Sequence, residues 1–251
     1  MGDLHSMKTV FLSSLASVGL LASVGAAADI TGNIGLTSDY VFRGLSQTDE
    51  KPAIQGGLDY AHSSGAYAGV WASNVDFSES DFGATDEAHI EVDLYAGMTG
   101  KVGDLGWKFG GIYYAYPGVS DNSGLKYDYW EFGPTLTYPV GPATASLMVM
   151  WSPNFYNETG KGLYSELGLS APVGSFTVGA TFGHQDISRN LKFGAPDYNN
   201  WSLYASTTVA GIGLKLAYTD TDLSGSDCFG GAEPFGDWCD GRAVFSVSKA
   251  L

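Results

Sequence analysis

Cysteine is nearly absent, with two residues in 251, and lysine and arginine are scarce, 12 against 27 aspartates and glutamates. The resulting charge of −15 excludes nucleic acid as a partner, because phosphates demand a Lys/Arg surface. Charged residues make up 16% of the chain, where about 25% is usual in a soluble protein. Long apolar runs are missing too. The candidate at Val10 to Val24 falls short of the roughly 20 residues a spanning helix needs. It reads instead as the core of a leader, with Met7-Lys8 before it as a short positive start and Ala26-Ala27-Ala28 after it as small cleavage-site residues. The expectation is a signal peptide over 1–28, with Met7 a second candidate start, and one exported domain over 29–251. No cysteine follows the small residues, which counts against a lipoprotein anchor.

What the chain does have is glycine, 35 residues, tyrosine, 15 residues, and a recurring alternation. Ile90, Val92, Leu94, Ala96 and Met98 alternate with Glu91, Asp93, Tyr95, Gly97 and Thr99. Similar runs surround Phe132, Val178 and Leu203. Period two puts one side-chain set on each face of a sheet, and segments of about ten residues suit tilted membrane-spanning strands. The expected fold is all-β, an antiparallel transmembrane barrel. Its twelve strands are placed at 30–43, 53–62, 66–77, 88–99, 105–116, 127–138, 143–152, 161–171, 175–184, 199–209, 212–221 and 241–251. Short connections such as Ser63-Ser64-Gly65 and Ala210-Gly211 take turns with long ones such as Gly44 to Lys51 and Asp222 to Asp240. Outer-membrane barrels sort short periplasmic turns from long outer loops in this way, and an even strand count returns both termini to the periplasm.

Charge decides which face meets lipid. The face of Ile90, Leu94, Phe132, Leu167, Leu203, Leu214 and Phe245 carries no mid-strand charge. The opposite face carries Asp39, Arg43, Asp59, Glu91, Asp93, Lys108, Glu131, Glu166, Lys215 and Arg242, the candidate lumen residues. A Lys or Arg facing lipid at the midplane costs about 2–4 kcal/mol, so this set is expected to point inward. Aromatics on the apolar face gather near strand ends. Tyr40, Phe42, Tyr113, Trp130, Trp151, Phe182, Trp201 and Tyr218 lie toward the long loops, and Tyr60, Trp107, Tyr138 and Phe176 toward the short turns. Two such belts at headgroup depth fit a membrane barrel. The stretch Tyr67 to Asp76 stays unassigned, with Tyr67 and Trp71 on one face and Ala68, Val70 and Ala72 on the other.

Three stretches carry a family resemblance: Ser38-Asp39-Tyr40-Val41-Phe42-Arg43-Gly44, Lys51-Pro52-Ala53-Ile54-Gln55-Gly56-Gly57, and Tyr67-Ala68-Gly69-Val70-Trp71-Ala72-Ser73-Asn74-Val75-Asp76-Phe77. Together with the end of the chain, Asp227-Cys228-Phe229 through Trp238-Cys239-Asp240-Gly241-Arg242 to Ser248, they resemble the TorF-type porin family of proteobacteria, also labelled Gcw_chp. The resemblance implies an outer-membrane barrel of porin type in a Gram-negative bacterium and implies no particular substrate. The expected partners are outer-membrane lipid and lipopolysaccharide, the barrel-assembly machinery and small solutes.

Cys228 and Cys239 share one long loop of an exported chain, so a disulfide is expected, worth about 3 kcal/mol in the chain-entropy model. No histidine stands near them to suggest a metal, and no metal or other cofactor is expected. His62, His89 and His184 have no nucleophile motif beside them, so no catalytic residue is assigned. Small inward residues such as Gly57, Gly97, Gly110, Gly133 and Gly168 favour a narrow open pore. The expected activity is passive diffusion of small hydrophilic solutes or ions, weakly cation-selective through an acidic mouth, Asp49, Glu50, Glu79, Asp81, Asp86, Glu87, Asp222, Asp227, Glu233, Asp237 and Asp240, and a mildly acidic lumen in which Glu91, Asp93 and Glu131 are the best candidates. A plugged barrel and a lipid-acting barrel enzyme stay open as alternatives, as does a loop folded inward.

Overall fold

The computed structural model describes residues 28–79, 86–119, 126–188, 196–225, 227–228 and 235–251; Asp81 and Glu233 of the expected acidic mouth lie outside them. In chain order its strands are β1 (Ala28–Thr37), β2 (Val41–Phe42), β3 (Leu45–Ser46), β4 (Ala53–His62), β5 (Ala66–Asn74), β6 (Ile90–Val102) and β7 (Leu105–Ala115), followed by β8 (Tyr129–Val140), β9 (Ala143–Ser152), β10 (Gly162–Val173), β11 (Phe176–Ile187), β12 (Tyr198–Val209), β13 (Ile212–Thr221) and β14 (Arg242–Ala250). Twelve of them close into one antiparallel barrel, in which each strand pairs with its neighbours in sequence and β1 pairs with both β4 and β14. Closure leaves the barrel no unpaired edge, the condition for strands to cross lipid. No helix among the described residues is long and apolar enough to do so.

The local chemistry of the turns sets the register. Gly103, Gly141 and Gly174 open two-residue turns at φ 60, 60 and 62°, the geometry that joins strands with the native twist. These turns, with the one after His62 and Ala210-Gly211, lie at one end, where β1 also begins and β14 ends. The long connections lie at the other.

The two faces separate as period two requires. Outward-facing Leu167 and Leu203 are 62% and 61% exposed, whereas Glu131 and Gln185 are fully buried inside. The unassigned stretch is settled by packing. Tyr67 is buried and Trp71 meets Tyr40 at 5.4 Å inside the barrel, so Ala68, Val70 and Ala72 form the outer face of β5.

One element departs from the sequence-based placement. The first strand, expected over 30–43, stops at Thr37. The chain then turns into the barrel and forms a second, separate hairpin, β2–β3, whose two-stranded sheet is not part of the wall. Tyr40 and Phe42 are therefore buried in the lumen and not in a lipid-facing belt. Asp39 and Arg43 are plug residues, not wall residues. The connection Gly44 to Lys51 folds inward where an outer loop was expected. The alternation did not break at Ser38, because the internal hairpin has the same period-two pattern as the wall.

Candidate functional site: the plugged end of the lumen

The plug spans residues 38–51. Phe42 pairs with Leu45 around the turn Arg43-Gly44, whose φ values of 49 and 86° are both positive. That pair of signs marks the tight hairpin turn that glycine favours. Gly44 has a second reason to be glycine, since an added Cβ would stand 2.5 Å from Thr221 Cγ2 and 3.0 Å from Asn200 Cβ. The base of the hairpin is tied by Gln47 N donating to Tyr40 O at 2.7 Å and Asp76 N donating to Gln47 O at 2.9 Å. Asp39 accepts from Ser46 Oγ at 2.8 Å and from Arg242 Nη1 at 3.0 Å. Lys51 Nζ lies 2.9 Å from both Asp49 and Asp76. Burial pushes the Asp76 carboxyl up, but hydrogen bonds from Lys51 and Ser78 outweigh it and hold the group below its usual range.

Arg43 is the point at which the plug meets the wall. Its Nη1 and Nη2 donate to Glu131 Oε1 and Oε2 at 2.9 and 2.6 Å, a bidentate charge-assisted pair. Nη1 also donates to Gln185 Oε1 at 2.7 Å. The guanidinium carbon sits 4.0 Å from the Tyr164 ring centroid and 4.6 Å from that of Phe42. Glu131 accepts a further bond from Tyr114 OH at 3.1 Å. Glu91 accepts from Tyr40 OH and Tyr116 OH, each at 2.7 Å. Glu131 comes from β8, Gln185 from β11 and Thr221 from β13, so the hairpin bridges walls that lie far apart round the ring. Phe42, Tyr114 and Tyr129 fill the space beside it, the last two stacked at 4.4 Å.

Toward the short turns the interior changes character. Tyr95 OH donates to Asp59, and Tyr164 OH donates to Glu166 at 2.9 Å. Lys108 lies over the Tyr67 ring at 4.5 Å and Lys215 over Tyr204 at 4.9 Å, and neither has an ion-pair partner among the described residues. β7 and β13 stand on opposite sides of the ring, so the two ammonium groups come from opposite walls. This chamber is polar and half-buried.

A third group of contacts holds the plug from outside. Cys228 and Cys239 form a disulfide, and the 3-10 turn Phe235–Cys239 presents Trp238, whose Nε1 donates to Asp49 Oδ1 at 2.9 Å. Thr221 Oγ1 donates to Cys239 O at 2.8 Å. Arg242 joins Asp39 and Glu50 at 3.0 Å each.

The ten sequence-selected residues thus fall into three sets. Arg43, Glu131, Glu91 and Asp93 surround the plug tip. Asp39 and Arg242 hold its base. Asp59, Lys108, Glu166 and Lys215 line the chamber. The histidines stay apart: His62 bonds Ser64 in an exposed turn, His89 lies 3.5 Å from Glu87, and His184 faces outward against Asn199. Sequence reasoning passed over Gln185, Tyr114 and Tyr164. Each has inward parity one to three residues from the long-loop end of its strand, which is the signal that would have marked them.

No curated protein sequence matches the chain significantly. Among solved structures it resembles the NanC porin, at a TM-score of 0.53 and 8% identity over 88% of this chain and 98% of that one. It also resembles outer membrane phospholipase A from Escherichia coli, with TM-score 0.45, 11% identity and 88% of each chain covered. LpxR from Salmonella typhimurium matches with TM-score 0.44 and 7% identity, over 88% of this chain and 99% of that one. At such identities the likeness is one of fold, a barrel of porin type. A family profile described as bacterial protein of unknown function (Gcw_chp) matches residues 22–251, nearly the whole sequence, and the chain belongs to that family.

Proposed function

We propose that this protein is an outer-membrane channel of a Gram-negative bacterium, exported by its signal peptide, that passes small hydrophilic solutes and ions when its plug moves. The TorF-type porin resemblance points the same way. The observation that carries the reading is the sorting of side chains on a closed barrel, with apolar residues exposed outside and charged and hydroxyl groups inside. The short-turn end, with both strand termini, faces the periplasm in this reading. The protein acts by diffusion and not as an enzyme. A weak cation preference is ascribed to the outer mouth, whose long connections carry more carboxylates, among them Glu87, Asp222, Asp227, Asp237 and Asp240, than bases, Lys51 and Arg242 being already paired with Asp49, Asp76, Asp39 and Glu50. Carboxylates there raise the local cation concentration, and salt screens the effect over about 8 Å at physiological ionic strength.

Purified protein in planar bilayers is expected to give discrete current steps. In dilute salt the reversal potential should be displaced toward cations, and the displacement should shrink as salt rises. Silence from both the intact barrel and one with residues 39–50 replaced by a Gly/Ser linker would sink the channel.

A further inference from the structure

The pocket that holds Arg43 has more carboxyl groups than one guanidinium pairs with. Glu131 takes the guanidinium in two parallel bonds, Gln185 accepts a third, and the Tyr164 ring lies 4.0 Å beneath it. Glu91 and Asp93 face the same space from β6, each 2% exposed, and no base among the described residues ion-pairs with either. Asp93 Oδ1 and Arg43 Nε have no hydrogen-bond partner, and neither has Asn200 Nδ2 beside Tyr164. Phenolic hydroxyls occupy both oxygens of Glu91, so Asp93 is the carboxylate left free to take a second cationic group.

These features make a receptor for a planar or compact cation. A carboxylate fork recognises a guanidinium bidentately, an aromatic face attracts its charge, and a spare buried carboxylate rewards a second positive group. The present occupant is an imperfect fit. Arg43 reaches the pocket from a non-glycine position at φ 49°, which strains its backbone, and it leaves one of its own donors unmet. A free solute carries no such backbone strain.

We propose that the Glu131–Gln185–Tyr164–Asp93 pocket binds small solutes bearing a guanidinium group, and that such a solute displaces Arg43 and so releases the plug. This rests on the channel reading and names its substrate class. A competitor tethered by a short segment has an effective concentration on the order of millimolar or more, so arginine is titrated from the millimolar range upward.

L-arginine is the probe and L-citrulline, which shares its α-ammonium and carries a neutral ureido group in place of the guanidinium, the control. Millimolar arginine, but not citrulline, is expected to raise the open probability of the intact protein by about tenfold, as differential affinity for one of two states requires. Arg43→Gln should be open without arginine and indifferent to it. The barrel with residues 39–50 replaced by a Gly/Ser linker should bind arginine over citrulline in titration calorimetry, and Glu131→Gln in that background should lose the discrimination. Binding of arginine no better than citrulline by a linker variant that conducts overturns this proposal and leaves the channel standing. Selective binding without conduction supports the pocket and overturns the channel. Neither binding nor conduction overturns both.

Discussion

Glu91, Asp93 and Glu131 are inward, as parity requires, yet none touches an open water column. Glu131 is fully buried beneath Arg43, and Glu91 sits under the hydroxyls of Tyr40 and Tyr116. Substituting them alters the seat of the plug before it alters ion preference. Parity alone reads direction from the sequence; it cannot show that a partner from another segment already occupies the space. Gly44 gives the sharpest prediction at this scale. Gly44→Ala forces a Cβ to 2.5 Å from Thr221 Cγ2 at a φ of 86°. Left-handed backbone costs an L-residue about 1–2 kcal/mol, and overpacking about 1–3 kcal/mol more. The plug should lose its seat while the wall is untouched. Limited trypsin digestion checks this: cleavage after Arg43, slow in the wild type, should quicken in the variant, and an unchanged rate would show that the tip tolerates the methyl group.

Eleven wall strands were legible to within a few residues because short turns of two or three residues and longer polar loops take turns between them. The first was not, for a reason of element packing. An internal hairpin needs one face for the aromatic side chains around it and one for polar anchors, so it reproduces the period of a wall strand. The outer latch was half legible. The cysteine pair could be read as a disulfide from compartment alone, but its use could not, since Trp238 reaches Asp49 across most of the chain length. The double variant Cys228→Ser, Cys239→Ser should still insert, because no barrel ladder passes through that loop. Its cost, about 3 kcal/mol in the chain-entropy model, falls on the latch. Current steps should become more frequent than in the wild type, while the temperature at which the folded gel band is lost should stay put. A large fall in that temperature would mean the loop supports the wall. Peptide mass mapping without reductant should recover the two cysteines linked.

At the scale of the whole molecule the plug and the wall are separable. Closure depends on β1, which pairs with β4 along its full length from Ala28 to Thr37. Its other seam, with β14, is in register only from Asn33 to Thr37, extended by Leu251 N bonding Gly32 O at 2.9 Å at one end and by Ser38 N bonding Phe245 O at 2.9 Å and Phe245 N bonding Ser38 Oγ at 3.0 Å at the other. Every one of these contacts ends before Asp39. Replacing residues 39–50 by a Gly/Ser linker while keeping Ser38 should therefore leave a closed barrel, with unheated and boiled samples still migrating differently on a denaturing gel. The same geometry says where the barrel yields first. Local opening follows the segment with the fewest shared bonds, and β10 and β11 pair over their whole length from Gly162–Ile187 to Val173–Phe176. Backbone amides of Val247 and Lys249, which face β1, should exchange with deuterium well before those of Leu167 and Ala180 in detergent-solubilised protein. Ser38→Ala removes the side-chain acceptor at the seam and should widen that difference. Uniform exchange around the ring, or fastest exchange at β10 and β11, would show that the β1–β14 closure is no weaker than the rest of the wall.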